Sequence, residues 1–193
     1  ELVQPFPRLA ALSRNSQGRW GDGSSYFPSM STNGQFVAFL SAATNLASGS
    51  SGTNVLVYLR DRAAHTTTLV SRSNGGGLAN ADCTDIDISG DGRYVVFSSA
   101  ASNLITNDNN NASDVFLYDR VAGQLELISK TSAATSGNGA SEFPSVSDDG
   151  RYVVFASDAS NLIAGDSNTY RDIFVRDRQA ATTTRASVSS GGA

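Results

Sequence analysis

Two stretches of this chain gather hard oxygen donors at spacings that suit a divalent cation. Asp108-Asn109-Asn110 is followed after three residues by Asp114, and Asp166-Ser167-Asn168 is followed in the same way by Asp172. Calcium takes six to eight oxygens at roughly 2.3–2.6 Å, and carboxylates at alternate positions of a tight loop, closed by a further carboxylate, begin such a shell. The spacing resembles the opening of an EF-hand loop but lacks its glycine at the sixth position and its glutamate at the twelfth, so that motif is absent. The candidate metal ligands are Asp108, Asn110, Asp114, Asp166, Asn168 and Asp172, with Ca2+ as the candidate cofactor. Loop hydrogen bonding is the competing use, because Asp and Asn side chains also close Asx-turns and cap loop amides.

Signatures of catalysis are sparse. His65 is the only histidine, and it stands in a polar turn before Thr66-Thr67-Thr68. Cys83 is the only cysteine, so no intrachain disulfide forms and no zinc site of the usual kinds is available. No Gly-x-Ser-x-Gly elbow is present to hold a nucleophilic serine. Asp82, Asp85 and Asp87 crowd around Cys83, and they read either as solvated carboxylates or as a channel-facing binding site or second cation site. Asn111-Ala112-Ser113 is a formal glycosylation acceptor inside a candidate calcium loop. Trp20 and Gln4-Pro5-Phe6-Pro7 read either as a docking segment or as a cover for the chain's own end.

The elements that carry these residues repeat. Asp91-Gly92-Arg93-Tyr94-Val95-Val96-Phe97 recurs letter for letter as Asp149-Gly150-Arg151-Tyr152-Val153-Val154-Phe155, and Asn33-Gly34-Gln35-Phe36-Val37-Ala38-Phe39 is a weaker copy. The offset is 58 in both steps, and it also relates Asn45-Leu46, Asn103-Leu104 and Asn161-Leu162. It relates the pairs Asp61-Arg62, Asp119-Arg120 and Asp177-Arg178 as well. A pair present in all three units reads as turn and inter-strand hydrogen bonding, with a ligand role as the alternative. In the first unit the offset places Ser50, Gly52 and Leu56 where the others have Asp, Asn and Asp, so a metal is expected in the second and third units only.

Each unit reads as four strands. In the third, Phe143 to Ser147 leads through Asp149-Gly150, a strong hairpin signal, into the β-formers Arg151 to Ala156. A polar loop follows, then the alternating Asp172 to Arg176, a turn, and the β-branched run Thr182 to Val188. Four antiparallel strands in 58 residues describe a propeller blade. The pattern Phe-Pro-Ser-x-Ser-x-Asp-Gly-Arg-Tyr-Val-Val-Phe, then Ser-Asn-Leu, Asp-x-Asn and Asp-x-Phe-x-x-Asp-Arg resembles the TolB-type, WD40-like β-propeller repeat over residues 12–190. The resemblance implies the fold; it does not imply one activity, since the repeat serves scaffolds, peptidase propellers and lyases alike.

The expected fold is thus all-β: three four-stranded blades over 24–80, 81–139 and 140–193, after an N-terminal segment 1–23 that carries a lone extra strand. Three blades fall short of the roughly four to eight of a closed propeller. The chain therefore reads as a sector of a longer polypeptide, as half of a ring made by two chains, or as a unit that stacks on neighbours. The start at Glu1, without a charged-then-apolar leader, reads as a processed or excised product.

Composition bounds the function. Of 193 residues, 17% are charged and the net charge is -4, which gives no basic footprint for nucleic acid. No apolar run approaches the roughly 18 residues of a membrane span. The chain holds 29 Ser, 14 Thr and 14 Asn with a single lysine, Lys130, which leans toward a secreted, periplasmic or cell-surface protein. The expectation is a noncatalytic extracytoplasmic scaffold or binding module that contacts protein, itself or another chain, as a homo-oligomer or part of a larger assembly. The alternatives are the propeller portion of a larger secreted hydrolase or lyase, and a carbohydrate-binding propeller built on repeated aromatics such as Tyr94 and Tyr152.

Overall fold

The computed structural model describes residues 11–50, 52–106 and 108–189. They form three separate antiparallel sheets of four strands, each in sequential order and none closed on itself. The first holds β1 (Ser25–Met30), β2 (Phe36–Ser41), β3 (Leu56–Asp61) and β4 (Thr66–Leu69). The second holds β5 (Cys83–Ile88), β6 (Tyr94–Ser99), β7 (Asp114–Asp119) and β8 (Gln124–Leu127). The third holds β9 (Ser141–Val146), β10 (Tyr152–Ser157), β11 (Asp172–Asp177) and β12 (Thr182–Arg185). There is no helix among the described residues.

The alternation of β-branched and aromatic residues gives every blade two different faces. One face carries a cross-strand aromatic pair: Phe39 with Tyr58, Phe97 with Phe116, and Phe155 with Phe174, each stacked at 5.6–5.9 Å. The other face is aliphatic: Ala38, Val57 and Leu59 in blade 1, then Val96, Val115 and Leu117 in blade 2. The aromatic face of each blade packs on the aliphatic face of the one before it, so two apolar clusters fill the two seams. The first strands β1, β5 and β9 lie side by side and mark the axis around which the blades turn.

The blade hairpins follow from side chains that cap their own turns. In blade 3, Ser147 Oγ donates to Asp149 Oδ1 while the amides of Arg151 and Tyr152 donate to Asp149 and Ser147. Gly150 then takes a φ of +69°, which an L side chain resists.

The fourth strand of blade 3 is shorter than the β-branched run suggests. It ends at Arg185: one more backbone bond follows, from Ala186 N to the Ile173 carbonyl, but the Ile173 amide donates to the Ser187 side-chain Oγ. The lone extra strand, carried back by the repeat from β4, falls on positions of which 8–10 lie outside the described residues. Residues 12–16, read as part of that strand, instead enter a small loop closed by an Arg14–Trp20 bridge, as Arg72–Leu78 and Lys130–Ser136 close its two copies. The loops at 14–20, 72–78 and 130–136 precede blades 1, 2 and 3, and each lies over the outer strand of the blade that follows it. Arg60 Nη1 donates to the Asn15 carbonyl, and Thr183 Oγ1 donates to that of Lys130.

Candidate functional site

Each axial strand is interrupted by a bulge, and at each bulge a non-glycine residue holds positive φ: Phe27 at 47°, Asp85 at 32° and Phe143 at 56°. These three positions are related by the 58-residue repeat. With Pro28, Ile86 and Pro144 they line one cleft of about 340 Å³ at the axis. Both phenylalanine rings stand in solvent, at 67% and 61% exposure, which is unusual for apolar groups held in a strained conformation. Two residues along β5, Asp87 ties the three axial strands together. Its carboxylate accepts from Ser29 Oγ at 2.9 Å on one side, and from Ser145 Oγ at 2.8 Å and Val146 N at 3.1 Å on the other. Asp85 has no such set; among the described residues its carboxylate accepts one hydrogen bond, from the Phe143 amide at 3.5 Å. Asp82 is used locally, accepting from Val55 N at 2.8 Å.

The structure brings each candidate calcium triad together in the loop before β7 or β11. In blade 2, Asn110 Nδ2 donates to Asp114 Oδ2 at 2.8 Å and Ser129 Oγ donates to Asp114 Oδ1 at 2.5 Å. Burial pushes the Asp114 carboxyl up to about 6 in spite of these donors, and the neighbouring Asp108 carboxyl adds to the rise. Burial raises Asp108 as well. Blade 3 repeats the hydrogen bonds, with Asn168 and Ser187 donating to Asp172. It adds a cation of its own, because Arg185 Nη1 lies 3.2 Å from Asp166 and 3.3 Å from Asp172. These donors and Arg185 hold Asp172 below the usual carboxylate range. The residue of blade 2 at the position of Arg185 is Leu127, and among the described residues no salt bridge reaches Asp108 or Asp114. In both loops the Asn oxygen accepts a backbone amide two residues on, from Ala112 and Tyr170, closing an Asx-turn.

The Asp-Arg pairs are architectural. Asp119 and Asp177 each accept two backbone amides of their own turn and a bidentate arginine, Arg93 or Arg151, at 2.7 Å. The Arg151 guanidinium, bonded to Asp177, holds that carboxyl down at about 2. The second member reaches into the seam: Arg120 lies over the Phe36 ring at 4.1 Å and Arg178 over the Tyr94 ring at 4.8 Å. The turn glycine of the same blade meets the same ring. A Cβ at Gly92 would stand 2.3 Å from Phe36, and one at Gly150 would stand 2.0 Å from Tyr94. Tyr94 is thus a packing ring, and the third copy, Tyr152, is left 41% exposed.

The remaining candidates have structural roles. His65 has a φ of 56° at the hairpin position that Gly123 and Ala181 fill in the other blades. Cys83 is buried, and burial pushes its thiol up to about 11, which makes it a packed side chain and a poor nucleophile. The Trp20 ring stacks under the Arg14 guanidinium at 3.7 Å, and residues 4–7 lie outside the described ones. Sequence reasoning missed the axial pair Phe27 and Phe143 and the Arg185 pairing; the 58-residue offset from Leu127 to Arg185 was the one available signal for the latter.

No family model matches the chain, and no curated protein matches it in sequence. Solved structures do match in fold. TolB from Acinetobacter baumannii is similar with a TM-score of 0.53 at 15% identity, over 88% of this chain and 33% of that one. A putative TolB from Agrobacterium tumefaciens gives 0.54 at 17% identity, over 84% and 48%. The β-propeller domain of the Trilobed protease from Pyrococcus furiosus gives 0.55 at 11% identity, over 84% and 41%. The chain therefore spans a third to about half the length of these structures. Its three sheets are blades of a TolB-like β-propeller.

Proposed function

We propose that these TolB-like blades form a noncatalytic, extracytoplasmic module that works by protein–protein contact, and that a second copy of the chain completes the ring. One observation carries the reading: the aliphatic face of blade 3 is bare. Val154 and Ile173 are 36% and 40% exposed, whereas their repeat counterparts Ala38, Val57, Val96 and Val115 are fully buried under the next blade. Tyr152 stands open beside them, in the place where Phe36 and Tyr94 each receive a glycine and an arginine. Blade 1 presents Gly34, Arg62 and the exposed Met30 at the edge that faces away from blade 2, while Val37, Phe39 and Tyr58 of its aromatic face are buried in the single chain. Two chains give six blades, within the roughly four to eight that close a propeller, and cyclic closure leaves no free face. The Ser- and Asn-rich composition with one lysine supports the extracytoplasmic placement.

Sedimentation velocity over a concentration series tests this. The wild-type chain is expected to form a closed dimer, and a variant with both Val154→Lys and Ile173→Lys is expected to stay monomeric with its fold intact. A wild-type chain that sediments as a monomer at every concentration overturns the second-copy reading. The rival reading, a propeller portion of a larger hydrolase or lyase, is favoured by the likeness to a protease propeller. It predicts catalytic residues on a further domain, and activity that survives when the chain's own His65 is replaced.

We further propose that calcium, as cofactor, acts at the loop of Asp108, Asn110 and Asp114 more strongly than at Asp166, Asn168 and Asp172. In blade 3 an ion would have to displace Arg185, while the blade 2 carboxylates have no cation of their own. Titration calorimetry with calcium chloride is expected to give one site per chain, lost in Asp114→Asn. An Arg185→Leu variant is expected to gain a second site. Absence of any calcium heat, or of any shift in Tm, would remove calcium from the account.

A further inference from the structure

We infer that the axial cleft framed by Phe27, Asp85 and Phe143 is a binding site for a guanidinium or ammonium group on an apolar stem, as presented by an arginine side chain of a partner peptide. The inference rests on what the three strained positions display and is independent of which chain completes the ring. At the repeat position where two blades place an exposed phenylalanine, the middle blade places a carboxylate, so the cleft alternates ring, anion, ring. A cation seated there has the Asp85 carboxylate and two phenylalanine rings in the lining around it, with Pro28, Ile86 and Pro144 for its stem. The site carries no cation of its own: among the described residues no salt bridge reaches Asp85, and its one hydrogen bond is the Phe143 amide at 3.5 Å. Arg171, which reaches Glu142 next to Phe143, is already engaged by Glu142 at 2.9 Å and Asp158 at 2.6 Å.

Asp87 shows what an axial carboxylate looks like when its role is structural. It is saturated by Ser29, Ser145 and the amides of Ile88 and Val146. Asp85 stands two residues away on the same strand with its acceptor capacity almost unused. The phenylalanines point the same way. Asparagine, aspartate and glycine enter positive φ with little resistance, whereas a phenylalanine there is strained and, when exposed, gains little from burial in return. Strain held at an exposed position marks a place where the side chain serves something outside the fold.

The test is a titration of the full chain with acetyl-arginine amide, followed by the backbone amide resonances of residues 27, 85 and 143. Acetyl-citrulline amide serves as the neutral control of nearly the same shape. The arginine probe is expected to shift these three resonances saturably, with the citrulline probe at least about tenfold weaker. Asp85→Asn, which keeps a residue tolerant of positive φ, is expected to lose a similar factor. The double variant Phe27→Asn and Phe143→Asn is expected to lose affinity severalfold while its Tm stays level or rises, because asparagine relieves the backbone strain at both places. Equal binding of the two probes, no saturable shift at these residues, or unchanged affinity in Asp85→Asn overturns the inference. So does calcium chloride moving the same amides through Asp85 at lower concentration than the arginine probe, which would make this a metal site.

Discussion

Asp114 is the residue whose chemistry differs most from what its sequence position suggests. A carboxyl on a polar loop ordinarily ionises near 4, yet this one is fully buried at the start of β7 and titrates at about 6. The folded chain thus holds a proton that the unfolded chain has already released, and the free energy of unfolding falls as pH rises through that window. The span from 3.8 to about 6 sets the size. At about 1.4 kcal/mol per unit, the loss by neutral pH is on the order of 1–3 kcal/mol. Carboxylates held low by arginine, such as Asp119 and Asp177, act in the opposite direction, and below about pH 4. Urea midpoints between about pH 4.5 and 7.5 read the Asp114 contribution together with that of Asp108, whose carboxyl burial also raises. Asp114→Asn is expected to flatten the slope there, whereas the same change at Asp172, whose carboxyl is held low, is expected to leave it in place. An unchanged slope in Asp114→Asn would mean that Asp114 is ionised throughout. The sequence showed which residues share each loop, because the repeat aligns them. It did not show that Arg185 closes one loop and Leu127 leaves the other open, since that depends on a strand 13 residues beyond Asp172 folding back beside it.

At the scale of the element, the blade was legible because its signals are local and repeat. Asp149-Gly150 marks a turn, Tyr152 to Phe155 alternate, and the 58-residue offset confirms each feature three times. The axial bulges were not legible, because the residues that take positive φ there are Phe27, Asp85 and Phe143, none of which announces a turn. The seam between blades was equally hidden: the glycine of Asp-Gly-Arg-Tyr reads as a turn residue, yet it also makes room for the preceding blade's ring. Those two duties separate by experiment. Gly165 has a φ of 80° with nothing within 4 Å of an added Cβ, so Gly165→Ala carries the backbone strain alone, about 1 kcal/mol. Gly150 has a similar φ of 69°, but its Cβ would stand 2.0 Å from Tyr94. Gly150→Ala is therefore expected to cost about 2–4 kcal/mol in chemical denaturation, the excess being the overpacked seam. Replacing Tyr94 by Ala in the Gly150→Ala background should recover part of that excess; a purely additive double variant would show that ring and turn are not in contact.

The whole molecule is a short stack in which each sheet touches only its sequence neighbours, so stability is set by blades and the seams between them. Blade 2 has both faces covered. Blade 1 has the residues of its aromatic face, Val37, Phe39 and Tyr58, buried, with Leu12 and Ser13 beside Val37 and Phe39, and blade 3 has an aliphatic face open to water. Hydrogen exchange should follow that order: the amides of β6 and β7 exchange near the global unfolding limit, while those of β10 and β11 open first. Covering Val154 and Ile173 removes apolar surface worth roughly 1 kcal/mol at each side chain. Protection of β10 and β11 should accordingly rise with protein concentration, together with that of the exposed strand β1. The variant with Val154→Lys and Ile173→Lys should lose this concentration dependence while keeping the protection of β6 and β7, because its substitutions lie at positions that are 36% and 40% exposed in the single chain. The same substitution at the buried repeat position, Val96→Lys, should instead lower protection in every blade, since it places an unpaired charge inside the seam that joins blades 2 and 3. Protection of β10 and β11 that is as high as that of β6 at every dilution would mean that blade 3 is complete as it stands, and the open face would then have no claim on a partner.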